Sequence, residues 1–223
     1  MIYAVVAAFN EERTIKGVID DLRSHGYTNI AVVDDGSADR TRAIAEEHGT
    51  HVVRHIINRG QGAALQTGIR FARRKGATII ITFDGDGQHQ AVDIKRLIAP
   101  IRQDTADITL GSRFLQSKSN VPFIRKLFLK GGVLIIRVMY GLRLTDSHNG
   151  LRAMNAKAAD AIRLTSDGME HASEFIEEIR RNRLRFKEVP VTIKYTDYSR
   201  ARGQSSLNAI RIFFRMVIQK LVR

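Results

Sequence analysis

The sequence predicts an α/β fold in which a mostly parallel sheet is flanked by helices. Over the first 110 residues, short apolar runs of strand length alternate with stretches whose apolar residues recur every three or four positions. This alternation is typical of parallel strands joined by helical crossovers. The composition, 43% hydrophobic and 26% charged over 223 residues, is that of a globular domain with a sizeable core. We therefore expect one domain spanning residues 1–223.

The elements follow one another in a regular order. The predicted strands are short and mostly apolar, and they occupy 2–8, 30–33, 51–53, 78–83 and 107–110. The predicted helices lie between them, at 11–24, 39–47, 63–75 and 91–102. After Gly111 come a basic amphipathic segment, a strand at 151–154, a helix near 170–181, a strand at 186–195 and a terminal helix. Ligands of such sheets bind where the carboxyl ends of the strands meet, so we expect the functional residues at that edge.

Composition excludes several classes of function. The chain has no cysteine, which excludes a disulfide framework, a thiolate metal site and a cysteine nucleophile. Its first residues run directly into an apolar strand, without the basic region or the small-residue cleavage site of a secretion signal. We therefore expect a cytoplasmic location.

The positive charge of the chain is local. The formal net charge is +13, from 36 Lys and Arg against 23 Asp and Glu. Residues 113–143 contain seven basic residues and no acidic one, and residues 199–223 contain six basic residues and no acidic one. These two segments therefore carry the whole net charge, which favours a localised anionic partner over general binding of nucleic acid.

Both basic segments have the pattern of helices that lie on a surface. Lys and Arg are interleaved with Phe, Ile and Leu, and neither segment has the run of about 18 to 20 apolar residues that spans a bilayer. This pattern favours amphipathic helices, near 117–143 and 205–223, in the interface of an anionic membrane. Ordinary core helices with a solvated basic face are the alternative. We expect a peripheral protein on the inner face of the membrane.

Acidic residues directly follow two of the predicted strands. Asp34 and Asp35 follow the strand at 30–33, and a turn that caps the next helix does not explain both. Asp84, Asp86 and Gln88 follow the strand at 78–83, and in an extended chain these side chains would point to the same side. Three such oxygen ligands suit Mg²⁺ or Mn²⁺, and a structural turn is the alternative. A calcium loop is excluded because Lys95 takes the position of its bidentate glutamate.

An ordered set of motifs carries a resemblance to a known family. The motifs are Asp34-Asp35-Gly36-Ser37, Asn58-Arg59-Gly60-Gln61-Gly62, Asp84-Gly85-Asp86-Gly87-Gln88-His89, Gly111-Ser112-Arg113, Asp146-Ser147-His148-Asn149-Gly150-Leu151-Arg152, Glu188-Val189-Pro190 and Arg202-Gly203-Gln204-Ser205. Together they cover nearly the whole chain. The set resembles glycosyltransferase family 2 with the GT-A fold, and within it the dolichyl- and polyprenyl-phosphate sugar synthases.

The resemblance implies a fold, a reaction and a site. It implies a Rossmann-like GT-A sheet and an inverting transfer of a hexose from a UDP- or GDP-sugar to a polyprenyl phosphate. The residues that it places around the nucleotide are Ala7, Phe9, Glu11, Asp35, Asp84 and Gly85. It assigns Asp84, Asp86 and Gln88 to a Mg²⁺ or Mn²⁺ ion that would offset charge on the leaving diphosphate. The catalytic residues that it implies are Asp86, Arg113 and Arg202, and the acceptor-binding residues are Arg113, Arg125, Ser147 and Arg152.

The chain departs from the family pattern in three places. The family usually begins Pro-x-Tyr-Asn-Glu, whereas this chain has Phe9 in place of the tyrosine and therefore lacks its hydroxyl. Leu129 stands where some synthases carry a polar residue one turn after the arginine. Many relatives carry transmembrane helices after the catalytic domain, whereas this chain ends at Arg223. We therefore expect a separately encoded small membrane protein, or a second copy of the chain, as a partner.

Two other functions remain open at this point. A lipid phosphate is already anionic at pH 7, whereas a saccharide hydroxyl would need a general base. Glu170 and Glu174 are the best candidates for such a base, although the exposed acidic face of a helix is the interpretation that we favour for both. The chain has no tryptophan and so lacks the Gln-x-x-Arg-Trp motif of processive polysaccharide synthases. A non-enzymatic module for anionic surfaces is the second alternative, but acids at the sheet edge would repel phosphate without a metal.

Replacing Arg211, Arg215 and Lys220 together by glutamine should release the protein from anionic vesicles, because each basic residue near the surface contributes about 1 kcal/mol to membrane binding. Sedimentation with phosphatidylserine vesicles measures the effect. Unchanged sedimentation would contradict the surface-helix interpretation of 205–223.

Overall fold

A computed structural model describes residues 1–115, 141–142, 144–146, 149–168 and 170–194. Its strands are β1 (Ile2–Ala8), β2 (Ile30–Asp34), β3 (His51–Arg54), β4 (Ile79–Asp84), β5 (Ile108–Ser112), β6 (Arg152–Asn155) and β7 (Phe186–Pro190). Its helices are α1 (Ile15–Ser24), α2 (Thr41–Glu47), α3 (Gln61–Arg74), α4 (Ile94–Arg102), α5 (Ala156–Ala161) and α6 (His171–Arg181), with a 3-10 turn at Ala91–Asp93 before α4. The predicted α/β fold, with helices flanking a sheet, is confirmed.

The seven strands form one sheet in the order β3-β2-β1-β4-β6-β5-β7. All pairings are parallel except the two made by β6, which runs antiparallel to β4 and to β5. Because of this reversal, β6 begins near the place where its two neighbours end, with Arg152 opposite Thr82 and Leu110. The loop that enters β6 therefore reaches the same edge as the loops that leave the parallel strands.

Two apolar clusters cover the two faces of the sheet. One joins α3, α5 and α6 to the sheet and includes Leu65, Ile69 and Phe175. The other joins α1, α2 and α4 to the opposite face and includes Ile19 and Leu97. Burial on both faces explains why β1, β2 and β4 read as continuous apolar runs.

Helix α1 begins later than the range 11–24 predicts. The backbone amide of Glu11 donates to Thr41 Oγ1 (2.7 Å), and that of Glu12 donates to Asp39 Oδ2 (3.1 Å). Both amides are therefore taken by side chains from the loop after β2 and from the first residue of α2. The apolar periodicity of residues 15–24 predicts the helix, but these contacts between distant residues set its start.

Two further differences from the prediction lie in the second half of the chain. Strand β7 ends at Pro190 rather than at 195. Val191 N still donates to Ser112 O (3.0 Å), but Thr192 N donates to Asp93 Oδ2 (2.7 Å) and Lys194 N to Gln88 O (2.9 Å), both outside the sheet. Helix α5 was not predicted. The Asn155 side chain caps it by accepting from Ala158 N (2.8 Å), a signal that the sequence does carry.

Several sequence predictions fall outside the described residues. The basic segment near 117–143 does so except for residues 141–142, and the segment at 205–223 does so entirely. Arg125, Ser147 and Arg202 also lie outside the described residues. In the described part of the chain, no helix combines the length and the apolar character needed to cross a membrane.

At the edge opposite the candidate site, Asp107 joins β5, β6 and β7. Its carboxylate accepts from the Arg185 backbone amide (3.0 Å) and guanidinium Nη2 (3.0 Å), and from Asn155 Nδ2 (3.1 Å). Hydrogen bonds from the Arg185 side chain are the main reason that the pKa of Asp107 lies well below its usual range. This carboxylate is buried, so its loss would leave several donors without an acceptor.

Replacing Asp107 by asparagine should lower the free energy of unfolding by about 2 kcal/mol, because several donors around a buried carboxylate would lose their charged acceptor. Asp104→Asn is the matched control. Its carboxylate also accepts from Arg185 Nη2 (2.6 Å) but is 86% exposed, so we expect a loss below about 0.5 kcal/mol. Urea denaturation at pH 7 measures both, and equal losses would contradict a special role for Asp107.

Candidate active site

The carboxyl ends of β1, β2 and β4 meet at one edge and bring several predicted site residues together. Ala7 lies opposite Asp84 in the parallel ladder, and Gly85 N donates to Ala7 O (3.1 Å). On the other side of β1, Asp35 N donates to Ala8 O (2.9 Å). The structure thus places Ala7, Asp35, Asp84 and Gly85 on adjacent strand ends.

The loop after β1 adds Phe9 and Glu11 to this edge. The Phe9 side chain is 41% exposed. Thr14 Oγ1 lies 2.9 Å from Glu11 Oε2 and 2.7 Å from Gly85 O. Thr14 therefore connects the loop that carries Glu11 to the loop after β4.

Asp35 holds the loop that leads into α3. Its buried carboxylate accepts from Arg59 N (3.0 Å) and Gly60 N (2.6 Å), and it lies 2.6 Å from His55 Nδ1. His55 Nε2 in turn lies 3.0 Å from Thr67 Oγ1. The sequence places Asp35 at the edge but gives no sign of this bracing role, because His55 and Gly60 are 20 and 25 positions away.

The carboxylate of Asp84 is fixed on both oxygens. Gln61 Nε2 donates to Oδ1 (2.7 Å), and His89 Nε2 lies 2.8 Å from Oδ2. The backbone of Gly150 closes the third side, since a Cβ at that position would lie 2.4 Å from Asp84 Oδ2. Glycine at 150 therefore permits the loop before β6 to lie against this carboxylate.

Asp86 and Gln88 do not continue the extended strand. Strand β4 ends at Asp84 and the chain turns at Gly85 and Asp86. The Asp86 carboxylate accepts from Gln88 N (3.0 Å) and from Gln88 Nε2 (2.6 Å). Gln88 therefore orients Asp86 in this structure, instead of projecting beside it as alternation along an extended chain predicts.

The two carboxylates respond differently to burial. Burial alone would raise the pKa of Asp84. The charge of His89 and its hydrogen bond lower this pKa, and the charges of His171 and Arg152 lower it further. Together they outweigh burial and hold the pKa of Asp84 below its ordinary value. The pKa of Asp86 is raised by burial and by the negative charge of Asp84. A cation near both would relieve the repulsion that raises the pKa of Asp86.

The donor set fits a hard divalent cation shared with a ligand. Carboxylate oxygens are the donors that Mg²⁺ and Mn²⁺ prefer. Over the described ranges, no group of three or more His, Asp or Glu side chains is arranged to hold a metal. Mg²⁺ is commonly bound by one or two carboxylates together with substrate phosphates and water. Asp84 and Asp86 match that mode.

Arg113 and Arg152 are both buried beside this edge. Arg113 follows β5, and its Nε donates to Asp146 Oδ2 (2.6 Å). Arg152, only 2% exposed, lies over the ring of Phe175 with 4.3 Å between its Cζ and the ring centroid. Burial lowers the pKa of Arg152 to about 10, although Asp84 and Asp146 act in the opposite direction. Arg152 therefore places a buried positive charge close to Asp84, a position that its sequence motif does not reveal.

Gly60 precedes α3 and Gly62 lies in its first turn, and both glycines make room for other parts of the protein and not for phosphate. The backbone amide of Gly62 donates to Asp167 O (2.8 Å), and a Cβ on Gly62 would lie 2.0 Å from Ser166 O. The amides at the start of this helix are thus directed at residues 166–167. This arrangement argues against a phosphate-binding loop at Gly60 and Gly62.

The carboxylate of Glu174 holds a neighbouring loop. It accepts from Thr165 N (2.9 Å), Thr165 Oγ1 (2.5 Å) and Ser166 N (2.8 Å). Our expectation of an exposed acidic helix face is therefore wrong for this residue, which is half-buried and fully engaged. These bonds indicate a structural role for Glu174, which holds the loop at 165–166, and not the role of a general base.

The glycosyl transferase family 2 model matches residues 3–163. The chain belongs to glycosyltransferase family 2. The UDP-N-acetylglucosamine–dolichyl-phosphate N-acetylglucosaminyltransferase of Methanococcus voltae is 35% identical over 99% of this chain and 96% of that protein. The undecaprenyl-phosphate mannosyltransferase of Micrococcus luteus is 30% identical over 93% of this chain and 87% of that protein.

A solved structure supports the fold of this family 2 chain. Glucosyl-3-phosphoglycerate synthase of Mycobacterium tuberculosis, crystallised with Mn²⁺ and UDP-glucose, matches 100% of this chain and 78% of its own with a TM-score of 0.73. The sequence identity is 19%, so the likeness concerns the fold. The predicted GT-A architecture is confirmed by this comparison.

His171 should make stability depend on pH. It is buried, its Nδ1 lies 2.8 Å from Gly168 O, and burial together with the charge of Arg152 lowers its pKa to about 4, from 6.5. The unfolded chain therefore binds a proton below pH 6.5 that the folded chain refuses, so stability falls as the pH drops from 6.5 towards 4.

Urea denaturation should show this histidine contributing a loss of about 2 kcal/mol between pH 7 and pH 5. His171→Asn keeps a donor near Gly168 O but does not titrate, so its stability should fall less over the same interval. Equal pH dependence in the variant and the wild type would contradict the assignment.

Proposed function

We propose that the chain is an inverting hexosyltransferase that moves a sugar from a nucleoside diphosphate to a polyprenyl phosphate with the help of Mg²⁺ or Mn²⁺. The carboxylate pair Asp84 and Asp86, at the edge where β1, β2 and β4 end, is the observation that carries the proposal. Acids at this position are ill suited to bind phosphate alone, but a divalent ion between them and a diphosphate removes the conflict.

The acceptor is proposed from the relatives. Two family members that match this chain over at least 87% of their own length are named for transfer to dolichyl phosphate or undecaprenyl phosphate. A phosphate monoester is an anion at pH 7 and can attack without a general base. The engagement of Glu174 with Thr165 and Ser166 agrees with an acceptor of this kind.

The residues divide the work as follows. The metal, when bound, neutralises charge on the departing diphosphate. Gln61 and His89 keep Asp84 oriented, Gln88 does the same for Asp86, and Arg113 offers a fork of donors for phosphate oxygens. An oxygen of the lipid phosphate attacks the anomeric carbon as the bond to the nucleoside diphosphate breaks, which inverts that carbon.

The surroundings of the reaction are part of the proposal. Ala7, Phe9, Glu11, Asp35 and Gly85 are proposed to surround the nucleotide, and Arg125, Ser147, Arg152 and Arg202 to serve the acceptor side. We also propose a single domain, residence on the cytoplasmic face of the membrane through the two basic segments, and a small membrane protein or a second copy as partner.

A donor and acceptor screen tests the proposal. Purified protein is incubated with Mn²⁺ or Mg²⁺ and radiolabelled UDP- and GDP-sugars, with and without polyprenyl phosphate, and then extracted with organic solvent. We expect label in the organic phase only when lipid phosphate and metal are both present. Asp86→Asn should reduce this transfer at least about a hundredfold with little change in thermal unfolding, because it removes one carboxylate charge.

Other outcomes would contradict parts of the proposal. Donor hydrolysis or transfer to a saccharide without lipid product would refute the lipid acceptor and support a saccharide hydroxyl. Full transfer in the presence of a chelator would refute the metal. No turnover of any donor would favour the anionic-surface binding module.

A further inference from the structure

Glu188 on β7 holds the turn at residues 144–146. Its carboxylate accepts from Thr145 N (2.8 Å to Oε1 and 2.9 Å to Oε2), from Thr145 Oγ1 (2.9 Å) and from Asp146 N (3.0 Å). Ser112 Oγ, at the end of β5, lies 2.6 Å from the same Thr145 hydroxyl. Two successive backbone amides and one hydroxyl are therefore tied to a single side chain.

The turn held by Glu188 carries the partner of Arg113. Asp146 Oδ2 accepts from Arg113 Nε (2.6 Å) and from Arg113 N (3.1 Å), and both residues are buried. A guanidinium is planar and its donors have fixed directions. Fixing the Nε edge against Asp146 therefore fixes the direction of the whole fork.

We infer that Glu188 is a positioning residue for the transfer reaction, acting on Arg113 through the turn at Thr145 and Asp146. This inference rests on the proposed role of Arg113 toward phosphate. Glu188 has no proposed contact with substrate. Its carboxylate sets the backbone from which Asp146 reaches Arg113, so its loss changes the aim of Arg113 without removing any substrate-binding group.

The chain offers a closely matched control. Glu174 makes the same kind of contact with another loop, accepting from the amide and hydroxyl of Thr165 and from the amide of Ser166. In both Glu188→Gln and Glu174→Gln, an amide NH₂ would face a backbone N–H that needs an acceptor. The two variants therefore disturb a loop to a similar extent. The loop held by Glu174 leads to Gly62 and so to Gln61 beside Asp84, whereas the loop held by Glu188 leads to Arg113.

The test is a kinetic cycle with five variants: Glu188→Gln, Glu174→Gln, Arg113→Lys, Arg113→Lys with Glu188→Gln, and Arg113→Lys with Glu174→Gln. We expect Glu188→Gln to lower kcat/KM about tenfold. Glu174→Gln should lower kcat/KM by the same factor with and without Arg113→Lys, because the loop that Glu174 holds does not lead to Arg113. In the Arg113→Lys background, Glu188→Gln should cost less than about twofold more, because the fork that it aims is already absent.

Two results would overturn the inference. One is an undiminished effect of Glu188→Gln beside Arg113→Lys, which is the behaviour expected of Glu174→Gln. The other does not depend on activity: a crystal structure of Glu188→Gln in which Arg113 Nε keeps its bond to Asp146 in the same direction. If the wild type transfers no sugar to lipid phosphate, the proposed function is refuted but this inference is not. The cycle would then be measured on whichever donor turnover the wild type shows.

Discussion

The site depends on keeping one carboxylate charged while most of it is removed from water. Asp84 ends a central strand with its side chain only 23% exposed, and burial by itself would favour its neutral form. Gln61 and His89 form hydrogen bonds with its two oxygens, and the charge of Arg152 also favours the ionised form. These contacts come from three separate segments of the chain, so the whole edge has to fold before the carboxylate is set.

This arrangement explains the shape of the surrounding loops. The antiparallel β6 brings the loop before it back to the edge, and Gly150 lets that loop touch Asp84. The same loop carries Asp146, which accepts from Arg113 Nε, and it leads into Arg152, the first residue of β6. The reversed direction of β6 therefore brings both Arg152 and Asp146, the partner of Arg113, to the edge that carries the acidic pair. The resulting edge has two acids with an adjacent cationic side, a distribution suited to a diphosphate bound through a metal.

Local sequence patterns predicted much of the fold but less of the site. Strand β1 and the buried strands β2 and β4 are visible as apolar runs, and the acids after β2 and β4 follow from them. The direction of Gln88, the bracing by Asp35 and the burial of Arg152 were not predictable in the same way. The last two depend on contacts across many positions, Asp35 with Gly60 and Arg152 over Phe175, for which a single sequence carries no periodic signal. Gln88 bonds to Asp86 two residues away because the chain turns there instead of continuing the strand. The resemblance to family 2 named the residues of the edge, whereas the structure shows which of them hold the others in place.

The central claim is that Asp84 and Asp86 form a binding site for a metal and a diphosphate together. Calorimetric titration of the wild-type protein with UDP and with GDP, each in the presence and absence of Mn²⁺, tests it most directly. The account predicts that at least one of the two nucleotides binds tightly with Mn²⁺ and at least about tenfold more weakly without it, because the two carboxylates then face the diphosphate unscreened. Equal affinity with and without the metal for every nucleotide that binds would contradict it.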